Sequence, residues 1–225
     1  ICSYDLSAIS YNDGKYIAVG FATILTSVNG ESWTQESAGG DYTLNGVGYC
    51  NGKYVAVGFE TILTSANGES WAAQDIGGRD YLSAVTYGSN KCITVGDSAA
   101  ILSSADEQTW IKESDINIYD IFGSTYANNQ YIGVGSTGTI LTSSDGYSWT
   151  KKTSGENNDL RGVIYGNDKY VVVGNHTILT STTAELWNKE SMGIDGSLNG
   201  VTYANGRYIT VGYHGLILTS NTGES

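Results

Sequence analysis

The segment YIAVGFATILTSVNGESW, Tyr16 to Trp33, returns almost unchanged as YVAVGFETILTSANGESW, Tyr54 to Trp71. Both copies alternate β-branched residues with small or polar ones, then break at an Asn-Gly turn. Each therefore reads as two short strands and a tight connection. Repetition at a fixed step is a signature of architecture, and here it runs the length of the chain. The dipeptide Val-Gly places its glycine at Gly20, Gly58, Gly96, Gly135, Gly174 and Gly212, in steps of 38, 38, 39, 39 and 38 residues. Trp33, Trp71, Trp110, Trp149 and Trp187 keep the same step. ILTS or ILSS starts at Ile24, Ile62, Ile101, Ile140, Ile178 and Ile217.

The six units, 6–43, 44–81, 82–120, 121–159, 160–197 and 198–225, each divide into four β segments. The first reads like LSAISY or LNGVGY and ends in a turn such as NDGK or CNGK, whose Asn, Asp and Gly tolerate positive φ. YIAVG and TILTS supply the second and third segments, and a turn of the type x-N-G-E delivers the fourth, which opens with Trp. Four strands per roughly 40 residues, repeated radially, describe a β-propeller blade. No 3.6-residue apolar rhythm points to helices. The expected fold is all-β, one six-bladed propeller domain over residues 1–225. The sixth unit reaches Ser225 without its Trp, and five residues precede Leu6 where eleven separate each Trp from the next inner strand. The last blade is therefore expected to be incomplete, in a segment of a longer polypeptide, with an open edge that invites self-association.

The turn SSDGYSW, Ser143 to Trp149, resembles the Asp-box of bacterial neuraminidase-type repeats, shortened by one residue. SVNGESW, SANGESW and SADEQTW are variants of it, whereas STTAELW and SNTGES depart further. The resemblance spans the whole chain. It implies that Asn29, Asn67, Asp106 and Asp145 bond their own turns and that Trp33, Trp71, Trp110, Trp149 and Trp187 pack between blades. It implies no single activity, because Asp-box propellers include sialidases, lectins, sorting receptors and photosystem assembly factors.

Charge narrows the partners. Eleven Lys and Arg against 23 Asp and Glu give a formal net charge of −12. Such a field repels phosphate backbones and anionic lipid, which argues against nucleic acid. No run of about eighteen apolar residues suggests membrane insertion. Cys2, Cys50 and Cys92 offer either one disulfide, for which Cys50 and Cys92 are the best-placed pair and which would fit an oxidising compartment, or three buried thiols.

Function is expected in the loops that vary while the scaffold repeats. Each inter-blade loop carries an acidic residue just ahead of the inner strand: Asp5, Asp41, Asp80, Asp120, Asp159 and Asp195. Tyr4, Tyr42, Tyr81 and Tyr119 stand beside four of them. Around one mouth of a closed propeller these would form a ring of carboxylates and phenols. That chemistry suits neutral sugars, whose hydroxyls donate to carboxylate oxygens and whose C–H faces stack on rings. It also suits a hard cation such as Ca2+ or a basic protein surface. The bland alternative is that Asp merely caps each turn and Tyr merely packs. His176 and His214 both stand two residues after a Val-Gly glycine and join the candidate set.

The first hairpins place Lys15, Lys53, Lys91, Gln130, Lys169 and Arg207 at one equivalent position at the opposite end. Sialidase chemistry, as the resemblance implies it, needs three converging arginines. Arg79 and Arg161 belong to the loop end and Arg207 to the hairpin end. No Ser-His-Asp, P-loop or HExxH pattern occurs. The sequence thus favours a non-catalytic, extracellular or secreted binding and adhesion module, lectin-like, with a protein–protein scaffold as the alternative and a glycoside hydrolase third.

Overall fold

The computed structural model describes residues 5–113, 119–193 and 195–224. It is all-β apart from three short 3₁₀ turns, and among the described residues no helix is long and apolar enough to cross a membrane. Six antiparallel meanders follow one another, and they group into two compact units, Ile1–Asp115 and Ile116–Ser225, of three blades each.

In the first unit, blade 1 holds β1 (Leu6–Asn12), β2 (Lys15–Gly20), β3 (Thr23–Ser27) and β4 (Thr34–Glu36). Blade 2 holds β5 (Leu44–Cys50), β6 (Lys53–Gly58), β7 (Thr61–Ser65) and β8 (Ala72–Gln74), and blade 3 holds β9 (Leu82–Gly88), β10 (Lys91–Gly96), β11 (Ile101–Ser104) and β12 (Ile111–Lys112). In the second unit, blade 4 holds β13 (Ile121–Ala127), β14 (Gln130–Gly135), β15 (Ile140–Ser143) and β16 (Thr150–Lys152). Blade 5 holds β17 (Leu160–Gly166), β18 (Lys169–Gly174), β19 (Thr177–Ser181) and β20 (Asn188–Glu190). Blade 6 has three strands, β21 (Leu198–Ala204), β22 (Arg207–Gly212) and β23 (Ile217–Ser220). The six blades, with a short last one, match the architecture expected from the repeat.

The Val-Gly glycines have a physical cause that the sequence conceals. Gly96, Gly135 and Gly212 are extended, with φ of −170°, −165° and −152°, so no left-handed conformation demands glycine there. The demand is space. A Cβ on Gly58 would stand 1.8 Å from the carbonyl oxygen of Thr43, and on Gly135 1.9 Å from that of Asp120. The same approach recurs at all six positions. It coincides with a one-residue register shift where the inner strand begins, as where Leu44 pairs with Gly58 but Gly46 with Val57.

The core lies between successive blades. Ile17, Val19 and Ile24 of blade 1 pack on Leu44, Tyr54, Ala56 and Leu63 of blade 2, and the pattern repeats within the second unit. Most of the tyrosines are hairpin pairs. Tyr49 and Tyr54, or Tyr165 and Tyr170, face each other across the first turn at 4.8 and 4.7 Å between ring centroids. The second tyrosine also bonds backward to the previous blade. Tyr54 donates its hydroxyl to the Asn12 carbonyl at 2.6 Å, Tyr170 to that of Ala127 at 2.9 Å, and Tyr208 to that of Gly166. Burial pushes the Tyr208 phenol up to about 12.

Blade 3 is the exception, and it explains the cysteines. Cys92 stands where the other blades have that second tyrosine, and Cys50 stands where Asn12, Ala127 and Gly166 offer their carbonyls. The two are joined by a disulfide, both fully buried. A covalent bond between blades 2 and 3 thus replaces the hydrogen bond used elsewhere. Cys2 lies outside the described residues.

Candidate binding surface

The two ends of a blade are built differently. At the hairpin end, Ser27 Oγ accepts from the Gly30 amide, and Asn29 Oδ1 accepts from the amides of Glu31 and Ser32, each at 3.0 Å. Asn67, Asp106 and Asp145 repeat this pattern. The amides of Thr109 and Gln108 hold the Asp106 carboxyl far below its usual range, and those of Ser148 and Tyr147 lower Asp145 to about 2. The indoles of Trp33, Trp71 and Trp149 donate to the glycine carbonyl of their own turn. Glu107 and Ala184 replace that glycine in blades 3 and 5, and there the buried N–H groups of Trp110 and Trp187 find no partner. Trp71, Trp110 and Trp187 pack into the cores between blades, while Trp33 is 37% exposed.

Three lysines of this end are spent on the next blade's turn. Lys15 reaches the Asn67 carbonyl and Glu69, Lys53 the Asp106 carbonyl and Glu107, and Lys169 Glu224. Blade 4 carries Gln130 at that position, and its Lys152 supplies the bond to Glu185 of blade 5 instead. Arg207 turns inward to Asn221 of its own blade.

At the other end, the β2–β3 type of loop in one blade is hydrogen-bonded to the loop that enters the next. Ala22 donates its amide to the Tyr42 carbonyl, Glu60 to that of Asp80, and His176 to that of Gly196. The turns come in two lengths. Blades 1, 2 and 5 use a tight form with Ala22, Glu60 or His176 at φ of 46°, 51° or 52°. Blades 3, 4 and 6 insert one residue and form 3₁₀ turns at Asp97–Ala99, Ser136–Gly138 and Tyr213–Gly215. His176 and His214, equivalent by count, therefore sit in different turns. His176 Nδ1 lies 2.5 Å from Asp195 Oδ1, whereas His214 projects from the longer turn and is exposed.

The six loop carboxylates are not equivalent. Asp80 pairs with Lys112 at 2.8 Å, Asp159 with Arg161 at 3.5 Å, and Asp195 with His176. Asp120 donates its amide to Ser136 Oγ at 3.1 Å. Asp5 and Asp41 are exposed. Tyr42 is partly buried in the core beside blade 2, and Tyr119 lies beneath the Lys151 ammonium at 4.0 Å. Tyr4 lies outside the described residues. Among the described residues no three His, Cys, Asp or Glu side chains come together as a metal site would require. Arg161, bonded to Asp159 and Asn175, and Arg207, bonded to Asn221, stand at opposite ends of their blades.

What the first unit presents at this end is aromatic. Phe59, half exposed at 50%, stacks obliquely on Tyr81, exposed at 39%, with ring centroids 5.8 Å apart. Phe21 occupies the equivalent turn of blade 1 and is also half exposed. Glu60 and Asp80 flank the pair in sequence, each matched by a cation, Arg79 and Lys112. Phe21 and Phe59 escape a reading by repeats because they belong to the near-identical segment assigned to scaffold. Their signal is positional: the other blades put Asp97, Ser136, Asn175 and Tyr213 after the Val-Gly glycine.

No protein-family model matches the chain, and no curated protein matches it. Solved structures do. The catalytically inactive virginiamycin B lyase from Staphylococcus aureus with quinupristin matches at a TM-score of 0.85 and 12% identity, over 95% of this chain and 79% of that one. YCF48 bound to D1 peptide matches at 0.77 and 16%, over 97% and 78%. The computationally designed Ika8 protein matches at 0.73 and 10%, over 100% and 74%. At such identities the likeness establishes the β-propeller fold and nothing finer.

Proposed function

We propose that this chain is a non-catalytic binding module that docks a protein segment of basic character at the loop end of its blades. The observation that carries this reading is the half-exposed Phe59–Tyr81 pair, flanked in sequence by Glu60 and Asp80, each of which is paired with a cation. Exposed aromatics inside a polar rim are the usual anchors of protein contacts. A net charge of −12 favours a cationic partner. The likeness in fold to YCF48, solved with a peptide bound, supports a protein ligand. Asp-box membership is supported by the Asx turns at Asn29, Asn67, Asp106 and Asp145. Extracellular placement is supported by the disulfide.

A second reading, neutral carbohydrate, is favoured by the exposed carboxylates of Asp5 and Asp41. It ranks below the first because Asp80, Asp159 and Asp195 are engaged within the chain, so six free acceptors do not stand ready for sugar hydroxyls. Salt separates the two readings. Binding to a library of Lys- and Arg-rich peptides, measured from 50 mM to 500 mM NaCl, is expected to weaken steeply. Selective, salt-insensitive binding on a glycan array, lost in Asp41→Asn, would reverse the order.

A further inference from the structure

The near-identical segments that open the sequence differ at three positions: Ile17 against Val55, Ala22 against Glu60 and Val28 against Ala66. Two of these exchange one apolar side chain for another. The remaining one puts a carboxylate into the loop-end turn of blade 2, directly after Phe59. The turn itself does not ask for it. Glu60 stands at φ of 51°, in a region that favours glycine, and Ala22 holds the same turn at 46°. What the turn uses is the Glu60 amide, which donates to the Asp80 carbonyl at 2.9 Å, as that of Ala22 does to Tyr42. The entering loop differs as well: Phe21 bridges to Thr43, whereas Phe59 bridges to Tyr81. Blade 2 thus adds a second ring and a carboxylate to a turn that blade 1 completes without either.

At the entry to blade 4, by contrast, two rings are covered by cations. The Lys151 ammonium lies 4.0 Å from the centre of the Tyr119 ring, and the Arg161 guanidinium 5.5 Å from that of Phe122. Arg161 combines three contacts: it lies over a ring, pairs with the Asp159 carboxylate at 3.5 Å and donates Nε–H to Asn175. Blade 2 offers the ring and the carboxylate of that arrangement without the cation over the ring. Among the described residues no Lys or Arg lies over Phe59 or Tyr81. The carboxylate is also loosely held. Arg79 Nε stands 3.7 Å from Glu60 Oε1, beyond hydrogen-bond reach, and the Arg79 side chain is 89% exposed. Exposed pairs of this kind contribute little, so a second cation can take the carboxylate at small cost. Asp80 is the contrast, 14% exposed and bonded to Lys112 at 2.8 Å.

We infer that Phe59, Tyr81 and Glu60 form a receptor for one arginine side chain of a docked segment. Its guanidinium lies on the rings, donates to the Glu60 carboxylate and displaces Arg79 from it. Arginine fits better than lysine. A planar guanidinium covers a ring face and offers two parallel N–H donors to a carboxylate, whereas an ammonium is a compact, strongly hydrated point charge. This receptor rests on the loop-end docking proposed above and names the group that such docking recognises.

The test titrates the unaltered chain with N-acetyl-arginine amide, whose only charge is the guanidinium, and follows the ring signals of Phe59 and Tyr81 by NMR. A saturable shift at both rings is expected. N-acetyl-citrulline amide, equal in shape but uncharged, should bind roughly tenfold more weakly or not at all, as should the arginine probe on Glu60→Gln. Arg79→Gln should tighten binding about threefold, and that gain should vanish in the Glu60→Gln background, the mark of two cations competing for one carboxylate. Lys189→Gln, which removes a cation from the second unit, should change nothing. No shift at these rings, equal binding of the citrulline probe, or tighter binding of N-acetyl-lysine amide would overturn the inference. Equal gains from Arg79→Gln and Lys189→Gln would do the same, because the general field of the chain would then be acting. The change of probe decides the matter on the unaltered protein, whatever the protein variants do to folding. Basic peptides that bind through Phe59 and Tyr81 yet ignore Glu60→Gln would leave the docking surface standing and remove the arginine receptor. Basic peptides that fail to bind where the arginine probe succeeds would remove the docking surface and leave the receptor.

Discussion

The two ends of a blade use the same kinds of residue to opposite purpose. At the hairpin end, lysines, carboxylates, asparagines and indoles are bonded to one another or to backbone, blade after blade, and this network is why the sequence repeats there. At the loop end the backbone is just as firmly tied, yet Phe59 and Tyr81 remain half exposed and the carboxylates diverge in their partners. A side chain bonded within or between blades is spent on the fold. One left exposed on a backbone that holds is available to a ligand.

The largest effects are expected where the fold allows no compromise. Gly58→Ala and Gly135→Ala drive a methyl to within 1.8–1.9 Å of a carbonyl oxygen. Each should cost about 3 kcal/mol or more, or abolish folding, in urea titrations. A cost under about 1 kcal/mol would mean the loops yield easily and the loop end is not rigid. Removing the blade 2–blade 3 disulfide with Cys50→Ser and Cys92→Ser should cost about 2–4 kcal/mol. The pair Cys50→Asn with Cys92→Tyr should recover part of it by restoring the tyrosine–carbonyl bond of the other blades.

The turn carboxylates sharpen the picture through pH. Asp106 and Asp145 titrate below their unfolded values, so their stabilisation is full above about pH 4 and fades as pH falls toward 2. Asp106→Asn with Asp145→Asn should flatten stability in that window and leave it nearly unchanged at pH 7, since Asn29 and Asn67 make the same bonds without charge. Acid melts of the two proteins decide this. The smallest effect on stability belongs to the loop end. Phe59→Ala with Tyr81→Ala should shift stability by about 0.5 kcal/mol per site yet weaken binding of a basic peptide at least roughly tenfold.

The fold was legible because blade periodicity is written in strand alternation, turn residues and a fixed tryptophan step. The reasons for some of those residues were not. The Val-Gly glycines mark the repeat in the sequence, but what demands them is a carbonyl in the entering loop. Cys50 and Cys92 were legible as the best-placed pair and are joined, but the reason, Cys92 standing in a tyrosine's place, emerges only when successive hairpins are superposed. At the loop end, the acidic positions before each inner strand were visible, but spacing could not tell that Asp80 meets Lys112 or that Asp195 meets His176. Phe59 was hidden by its own repetition in Phe21. An aromatic in a repeated segment reads as core until its exposure is known.

Where a ligand binds on the blades is open to one paired measurement. A spotted library of basic decapeptides should be probed with the unaltered chain, with Phe59→Ala/Tyr81→Ala, and with Val28→Ser/Leu186→Ser, which removes exposed apolar residues from the hairpin end. Selective binding that survives in the third protein and disappears in the second is the predicted result. Binding that is indifferent to Phe59 and Tyr81 but lost with Val28 and Leu186 would contradict the account and move the surface to the other end of the blades.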